Sequence, residues 1–187
     1  IQLCEPAYLH YDSHVGRMSG MLPGLFENGG VYNHCNAFKI MADCRLGRAE
    51  QALSTLHKMI PDSKDNPVSI TGAEPYLFVN CWCMHPSFFT RIWFGWFTGT
   101  SAWALRGFYE GICGLRRESG GLRVQPCIPG AWKELTLTRT FRGCRYHIHI
   151  SNTGSGKPEV TVDGNRLADT LLPVLNDGQI HEVVVRT

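Results

Sequence analysis

TGTSAWALRGFYEGICGLRRESGGLRVQP, residues 98–126, holds the point at which the chain changes its period. Thr98 to Cys113 is strongly apolar and reads as a helix. Leu122-Arg123-Val124-Gln125-Pro126 alternates apolar with polar, the two-residue repeat of a strand. The boundary falls near residues 115–121. Upstream the texture stays helical. Val31 to Leu46 carries apolar residues at Val31, Ala37, Phe38, Ile40, Met41 and Leu46 and stops at Gly47. Ala49 to Ile60 repeats the pattern with Ala52, Leu53, Leu56 and Met59, then stops at Pro61. A polar loop, Asp62 to Gly72, follows. Glu74 to Cys83 is predicted as a third helix, with Pro75 at an early helical position. Helices this apolar must bury more than one face, which favours a layered helical barrel or bundle. Downstream, Leu135-Thr136-Leu137-Thr138-Arg139, Tyr146-His147-Ile148-His149-Ile150, Val160-Thr161-Val162 and Val183-Val184-Val185 alternate or run apolar between turns such as Asp163-Gly164. These predict an antiparallel sheet or sandwich.

The 187 residues allow one domain or two small ones, and 43% apolar against 18% charged residues supplies ample core. That excludes a disordered chain. A net charge of +2 without a long basic run argues against a nucleic-acid partner. The most apolar window, Ile92 to Leu105, is broken by Gly95 and Gly99 and ends at Arg106, short of the roughly 20 apolar residues of a membrane span. The chain starts Ile1-Gln2-Leu3-Cys4-Glu5-Pro6, with neither methionine nor the basic start of a signal peptide. The expectation is a piece of a longer polypeptide. Eight cysteines sit mostly among apolar residues. They are expected to be reduced, structural thiols of a cytoplasmic protein.

Several strings carry chemistry. In Glu27-Asn28-Gly29-Gly30-Val31-Tyr32-Asn33-His34, polar groups and glycines precede a helix, so that Glu27 and His34 face a cleft or else belong to a capped turn. In Trp96-Phe97-Thr98-Gly99-Thr100-Ser101-Ala102-Trp103, hydroxyls and a glycine stand at a helix start. Such a place suits an anion, or is an ordinary Thr/Ser cap. No lysine follows, so it is not a nucleotide P-loop. The aromatics Trp82, Trp93, Phe94, Trp96, Phe97 and Trp103 serve either a core or a sugar-stacking cleft. Glu74 is a lone carboxylate beside Pro75 and Tyr76, a substrate acceptor or a cap. His147 and His149 alternate on a strand without a third ligand at a matching position, so they are read as strand residues and no metal site is expected.

As a set, ENGGVYNHCNAFKIMADCRLGR (27–48), EPY (74–76), WFTGTSAW (96–103), GLRVQPCIPGAW (121–132) and FRGCRYHI (141–148) resemble the cellobiose and chitobiose phosphorylase family. Order and spacing fit across nearly the whole chain. The resemblance implies a multi-domain α+β architecture. Residues 1–118 would be the C-terminal helices of an (α/α)6 helical barrel, and residues 119–187 a small antiparallel β-sandwich-like domain.

The family cleaves β-linked disaccharides with inorganic phosphate and inverts the anomeric centre, giving an α-sugar 1-phosphate. Phosphate is a co-substrate, and no cofactor is implied. By resemblance His34, Thr98 and Gly99 match phosphate-binding positions and Glu27 a sugar-site position. The general acid would be an aspartate upstream of this chain. Asp12, Asp43, Asp62, Asp65, Asp163, Asp169 and Asp177 lack its context, so the chain alone is expected to be inactive and to need the remainder of the barrel. Arg17 stands near the acceptor-facing positions and would suit an anionic acceptor such as an aldonic acid. A homodimer is an expectation from the resemblance alone. A hydrolase on a similar barrel and a non-catalytic carbohydrate-binding module are the competing readings.

Overall fold

The computed structural model describes residues 1–61 and 64–187. Asp62, and with it the start of the polar loop read over 62–72, lies outside the described residues. The chain divides into two compact units, Ile1–Ala42 with Ala52–Gly107, and Asp43–Gln51 with Phe108–Thr187.

The first unit opens with an irregular segment bearing a 3-10 turn at Gly16–Gly20. Strand β1 (Val31–Tyr32) leads straight into helix α1 (Asn33–Arg45). Helix α2 (Ala49–Met59) and a single turn, α3 (Val68–Thr71), follow. Then come β2 (Cys81–Trp82), β3 (Ile92–Trp93) and α4 (Thr100–Arg106). Their core includes Ala37, Ile40, Ala52, Met59 and Val79, each at most 1% exposed. Ala73, Val79 and Trp82 form a packed cluster against which Val31 and Ile92 rest. Each fully buried Ile or Val contributes about 1.5–3 kcal/mol of apolar burial.

The helices read over 31–46 and 49–60 form within a few residues of those limits. The helix read over 74–83 does not form, which is a correction. Its second half instead becomes β2, the middle strand of a three-stranded antiparallel sheet ordered β1-β2-β3. Val31 and Tyr32 pair with Trp82 and Cys81 on one side, and Trp93 and Ile92 with Cys81 and Trp82 on the other. Both edges of β2 are thereby hydrogen-bonded, and tertiary pairing overrides a local periodicity that Pro75 made look helical. The helix read over 98–113 is divided between α4 and a π-helical turn, Gly107–Ile112.

The second unit holds two sheets. β4 (Leu115–Glu118), β5 (Gly121–Val124) and β10 (Leu171–Leu172) form a three-stranded antiparallel one. The other has five strands in the order β6-β7-β11-β8-β9. They are β6 (Glu134–Phe141), β7 (Cys144–Ser151), β8 (Glu159–Val162), β9 (Asn165–Arg166) and β11 (Ile180–Arg186). Tyr146, Ile148 and Ile150 of β7, with Val183 and Val185 of β11, are buried on one face, while Arg145, Glu182 and Arg186 emerge on the other. Hairpins β6–β7 and β8–β9 turn through Arg142-Gly143 and Asp163-Gly164, with positive φ at both central residues. That is the I′ geometry matching strand twist. One pairing departs from the antiparallel expectation: β11 runs parallel to β7 from Ile180↔Arg145 to Arg186↔Ser151. Alternation sets which face of a strand is buried but not the direction of its neighbour.

Candidate functional site

All the site residues named from sequence lie in the first unit, and the small sheet organises them. Just after β1, Asn33 is buried at the start of α1. Its N–H donates to the Asn80 carbonyl at 2.9 Å and its side-chain amide to the Val79 carbonyl at 3.0 Å. The Asn80 N–H in turn donates to the Phe94 carbonyl at 2.9 Å. The first turn of α1, the residue before β2 and the loop after β3 are thus fixed to one another through buried amides, whose loss would leave unsatisfied partners.

Two groups hang from this frame. The Asn80 side-chain amide donates to the Thr98 hydroxyl at 3.2 Å. That hydroxyl also accepts from the Thr100 N–H at 3.1 Å and shares a hydrogen bond of 2.7 Å with the Thr100 hydroxyl. Gly99 is the exposed residue preceding α4, and its carbonyl accepts from the Trp103 N–H at 3.1 Å. The His34 imidazole lies directly against it: a Cβ built on Gly99 would stand 2.8 Å from His34 Nε2. The structure therefore brings His34, Thr98 and Gly99 together. Tyr32, whose ring centroid is 5.5 Å from that of His34, flanks them.

Glu27 occupies the tight loop between Leu25 and Gly30, closed by bonds of 2.9 Å from Asn28 N–H to the Leu25 carbonyl and from Gly30 N–H to the Phe26 carbonyl. Asn28 anchors the loop. Its side chain accepts from Tyr8 N–H at 2.7 Å and donates to the Tyr8 and Met21 carbonyls at 3.0 and 2.8 Å. Among the described residues, Glu27 Oε2 is the one buried side-chain polar atom with no hydrogen-bond partner. Such an oxygen is open to a water, an ion or a ligand donor alike. Cys81 of β2 lies nearby. Burial above all, with the neighbouring Cys83 and the Glu27 charge, pushes its thiol up to about 12 against the opposing pull of the Phe26 backbone.

The aromatics divide. Trp82 is 7% exposed and belongs to the core, whereas Trp96 and Phe97 are 66% and 86% exposed. Phe26 meets Trp93 edge-on at 5.7 Å and Phe94 at 5.3 Å. Phe26 and Phe94 both adopt positive φ, 46° and 55°. That region is disfavoured for bulky residues, so the surrounding loops hold both rings in place at a cost in backbone strain. Glu74, half-buried, lies beside Gly95, its Oε2 3.7 Å from where a Cβ there would stand. Arg17 is exposed on the 3-10 turn, and no described contact joins it to the His34 group. Asn80 and Tyr32 were missed by the sequence reading. Asn80 sat inside a stretch taken for helix, and nothing local marks it as the donor to Thr98.

The site can therefore offer the His34 imidazole, the Thr98 hydroxyl and the exposed backbone at Gly99 to an anion, while the buried Thr100 hydroxyl supports Thr98 from behind. A solitary carboxylate and an aromatic surface stand on the same unit for a polyol.

Comparison with known proteins matches residues 1–114 to the glycosyl hydrolase 94 superfamily catalytic domain, and residues 115–157 to the glycosyl hydrolase family 65 C-terminal domain. A solabiose phosphorylase of Paenibacillus borealis is 37% identical over 97% of this chain and 24% of its own length. A 3-O-beta-D-glucopyranosyl-beta-D-glucuronide phosphorylase of the same organism is 35% identical over 99% of the chain and 25% of its own length. A cellobionic acid phosphorylase of Neurospora crassa is 33% identical over 99% and 24%. The chain spans about a quarter of the length of these curated relatives.

Proposed function

The chain belongs to the glycosyl hydrolase 94 superfamily, and from that premise we propose that it forms part of an inverting glycoside phosphorylase acting on a β-linked disaccharide. In this reading residues 1–118 contribute the last helices of an (α/α)6 barrel and residues 119–187 a small β-sandwich-like domain. The change of family match between residues 114 and 115 supports such a division. So do Phe38, Ile70 and Leu105, which are 47%, 57% and 59% exposed and offer apolar surface to further barrel helices.

One observation carries the proposal: the His34 imidazole is seated against Gly99, next to the Thr98 hydroxyl. Phosphate bound there accepts hydrogen bonds from His34 and Thr98 and is held with one oxygen toward the anomeric carbon. That oxygen forms the new C–O bond on the face opposite the leaving oxygen while the glycosidic C–O bond breaks. The proton required by the leaving oxygen comes from a general acid outside this chain. Glu27, with its unpartnered oxygen, accepts a sugar hydroxyl, and Glu74 accepts another beside the exposed Trp96. Catalysis then rests on positioning and on stabilising an oxocarbenium-like transition state.

Arg17 is assigned to the acceptor side. Two of the relatives carry acidic sugars in their names, and a guanidinium on an exposed turn is the group that pairs bidentately with a carboxylate.

The test is phosphate dependence. A polypeptide carrying this chain within a complete barrel is incubated with cellobiose, chitobiose and cellobionic acid, with and without phosphate. Release of α-sugar 1-phosphate only in its presence is expected. Equal cleavage without phosphate would establish the hydrolase reading instead. Arg17→Ala is expected to reduce kcat/KM on cellobionic acid about tenfold or more and leave cellobiose unaffected. Equal effects on both remove Arg17 from acceptor recognition.

A further inference from the structure

The exposed face of the five-stranded sheet carries a second cluster, wholly within the second unit. The parallel register of β7 and β11 sets Glu182 opposite His147. His149, two residues further along β7, projects from the same face. His147 Nδ1 stands 3.1 Å from both Glu182 carboxylate oxygens, and His149 Nε2 stands 3.5 Å from Oε2. One ligand atom from each residue lies within 4.8 Å of the others. The two imidazoles meet nearly at right angles, 70°, with centroids 4.4 Å apart.

We propose that His147, His149 and Glu182 form a binding site for a divalent transition-metal ion, with Zn²⁺ the best fit. The ligand set is two imidazoles and one carboxylate, which suits Zn²⁺ and leaves a fourth position for water. Metal–ligand bonds of about 2.0–2.1 Å place tetrahedral ligand atoms about 3.3 Å apart. The observed 3.1 and 3.5 Å lie either side of that edge. A hydrogen bond accounts for the shorter contact. The longer one exceeds normal hydrogen-bond length.

The surroundings hold the donors in place. Thr136, opposite His149 on β6, puts its hydroxyl 3.2 Å from His149 Nδ1. With Nδ1–H donating to that oxygen, the Nε2 lone pair is turned toward Glu182, the outer-sphere arrangement that metal-ligating histidines use. All three ligands are accessible to solvent. The sequence offered no third ligand because Glu182 arrives from a strand 35 residues beyond His147, through a pairing direction that alternation does not encode. The ion would tie β11 to β7 and is independent of phosphorolysis.

The experiment uses the whole chain, freed of metal with a chelator and kept reduced with a phosphine, titrated with Zn²⁺ by calorimetry. One equivalent is expected to bind, to raise the thermal unfolding midpoint and to resist competition by Mg²⁺. His147→Ala and His149→Ala should each weaken binding more than about tenfold and abolish the thermal shift. Thr136→Val should weaken it by about tenfold. Glu182→Gln keeps the shape of the side chain and tests the same site should a histidine variant fail to fold. Absence of Zn²⁺ binding, or binding and a thermal shift that survive in the His147→Ala/His149→Ala protein as thiol binding would, overturns the proposal.

Discussion

At the scale of single residues, Gly99 is the position whose lack of a side chain leaves room for the candidate site's imidazole. Its hydrogen atom faces His34 Nε2 where a methyl group would approach to 2.8 Å. Real Cβ atoms do not tolerate that distance, so the imidazole must swing away. Gly99→Ala is expected to lower kcat/KM for phosphate by about 100-fold in the complete enzyme, the effect of displacing a positioning group by roughly 1 Å. His34→Ala should fall at least as far. Wild-type phosphate kinetics in Gly99→Ala would dissociate the imidazole from the anion.

A second residue carries a pH dependence. His181, 8% exposed, bonds Asp163 through Nδ1 at 2.8 Å and Asp177 through Nε2 at 3.1 Å. Asp163 first and Asp177 second raise its pKa above the ordinary 6.5. Asp163 is held below 3.8 by His181 first, and Asp177 by the Gln179 N–H first and His181 second. The imidazolium therefore stabilises the fold fully below pH 6.5 and progressively less as pH rises through its raised value. The carboxylates contribute above 3.8 and lose that contribution as pH falls through their lowered values. Urea midpoints between about pH 5 and pH 9 should decline across the histidine's titration in the wild type and flatten in His181→Ala. An unchanged slope would contradict this. None of it was legible beforehand, since Asp163, Asp177 and His181 meet only after β8, β9 and β11 are assembled.

Among the elements, those governed by local chemistry were readable. Asp163-Gly164 announced a two-residue hairpin, and the structure places φ 48° and 80° there. Gly164→Ala meets open space, so only backbone strain opposes it. A loss of about 1–2 kcal/mol in urea unfolding is expected. The alternating residues of β6 and β7 likewise announced strands, and Gly47 and Pro61 ended α1 and α2 near where they end. Elements governed by distant partners were not readable. β2 is a strand because β1 and β3 lie on either side of it, and its own residues gave a helical reading. The aromatic run was ambiguous for the same reason: one pattern supplies Trp82 to the core and leaves Trp96 and Phe97 in the open. Of the candidate site, the string bearing Thr98 and Gly99 and the string bearing His34 were visible. The amide of Asn80, which holds the Thr98 hydroxyl, was not.

For the molecule as a whole, the order β6-β7-β11-β8-β9 puts the last of these five strands between two hairpins made earlier. Val183 and Val185, both fully buried, complete the apolar face only when β11 enters. A chain truncated after Gln179 is expected to lose cooperative unfolding and cold-soluble yield, checked by gel filtration and by circular dichroism during heating. Retention of both would mean that the hairpins suffice. During synthesis on the ribosome the consequence is one of timing. Two finished ribbons emerge with the facing edges of β7 and β8 bare, and nothing in either can seal the other until residue 180 and its successors leave the exit tunnel. Pairing at such long sequence separation is slow, and bare edges recruit strands from neighbouring chains. Translation speed over the last few codons of this stretch, and chaperone occupancy while it is incomplete, would therefore govern how much of the protein escapes aggregation.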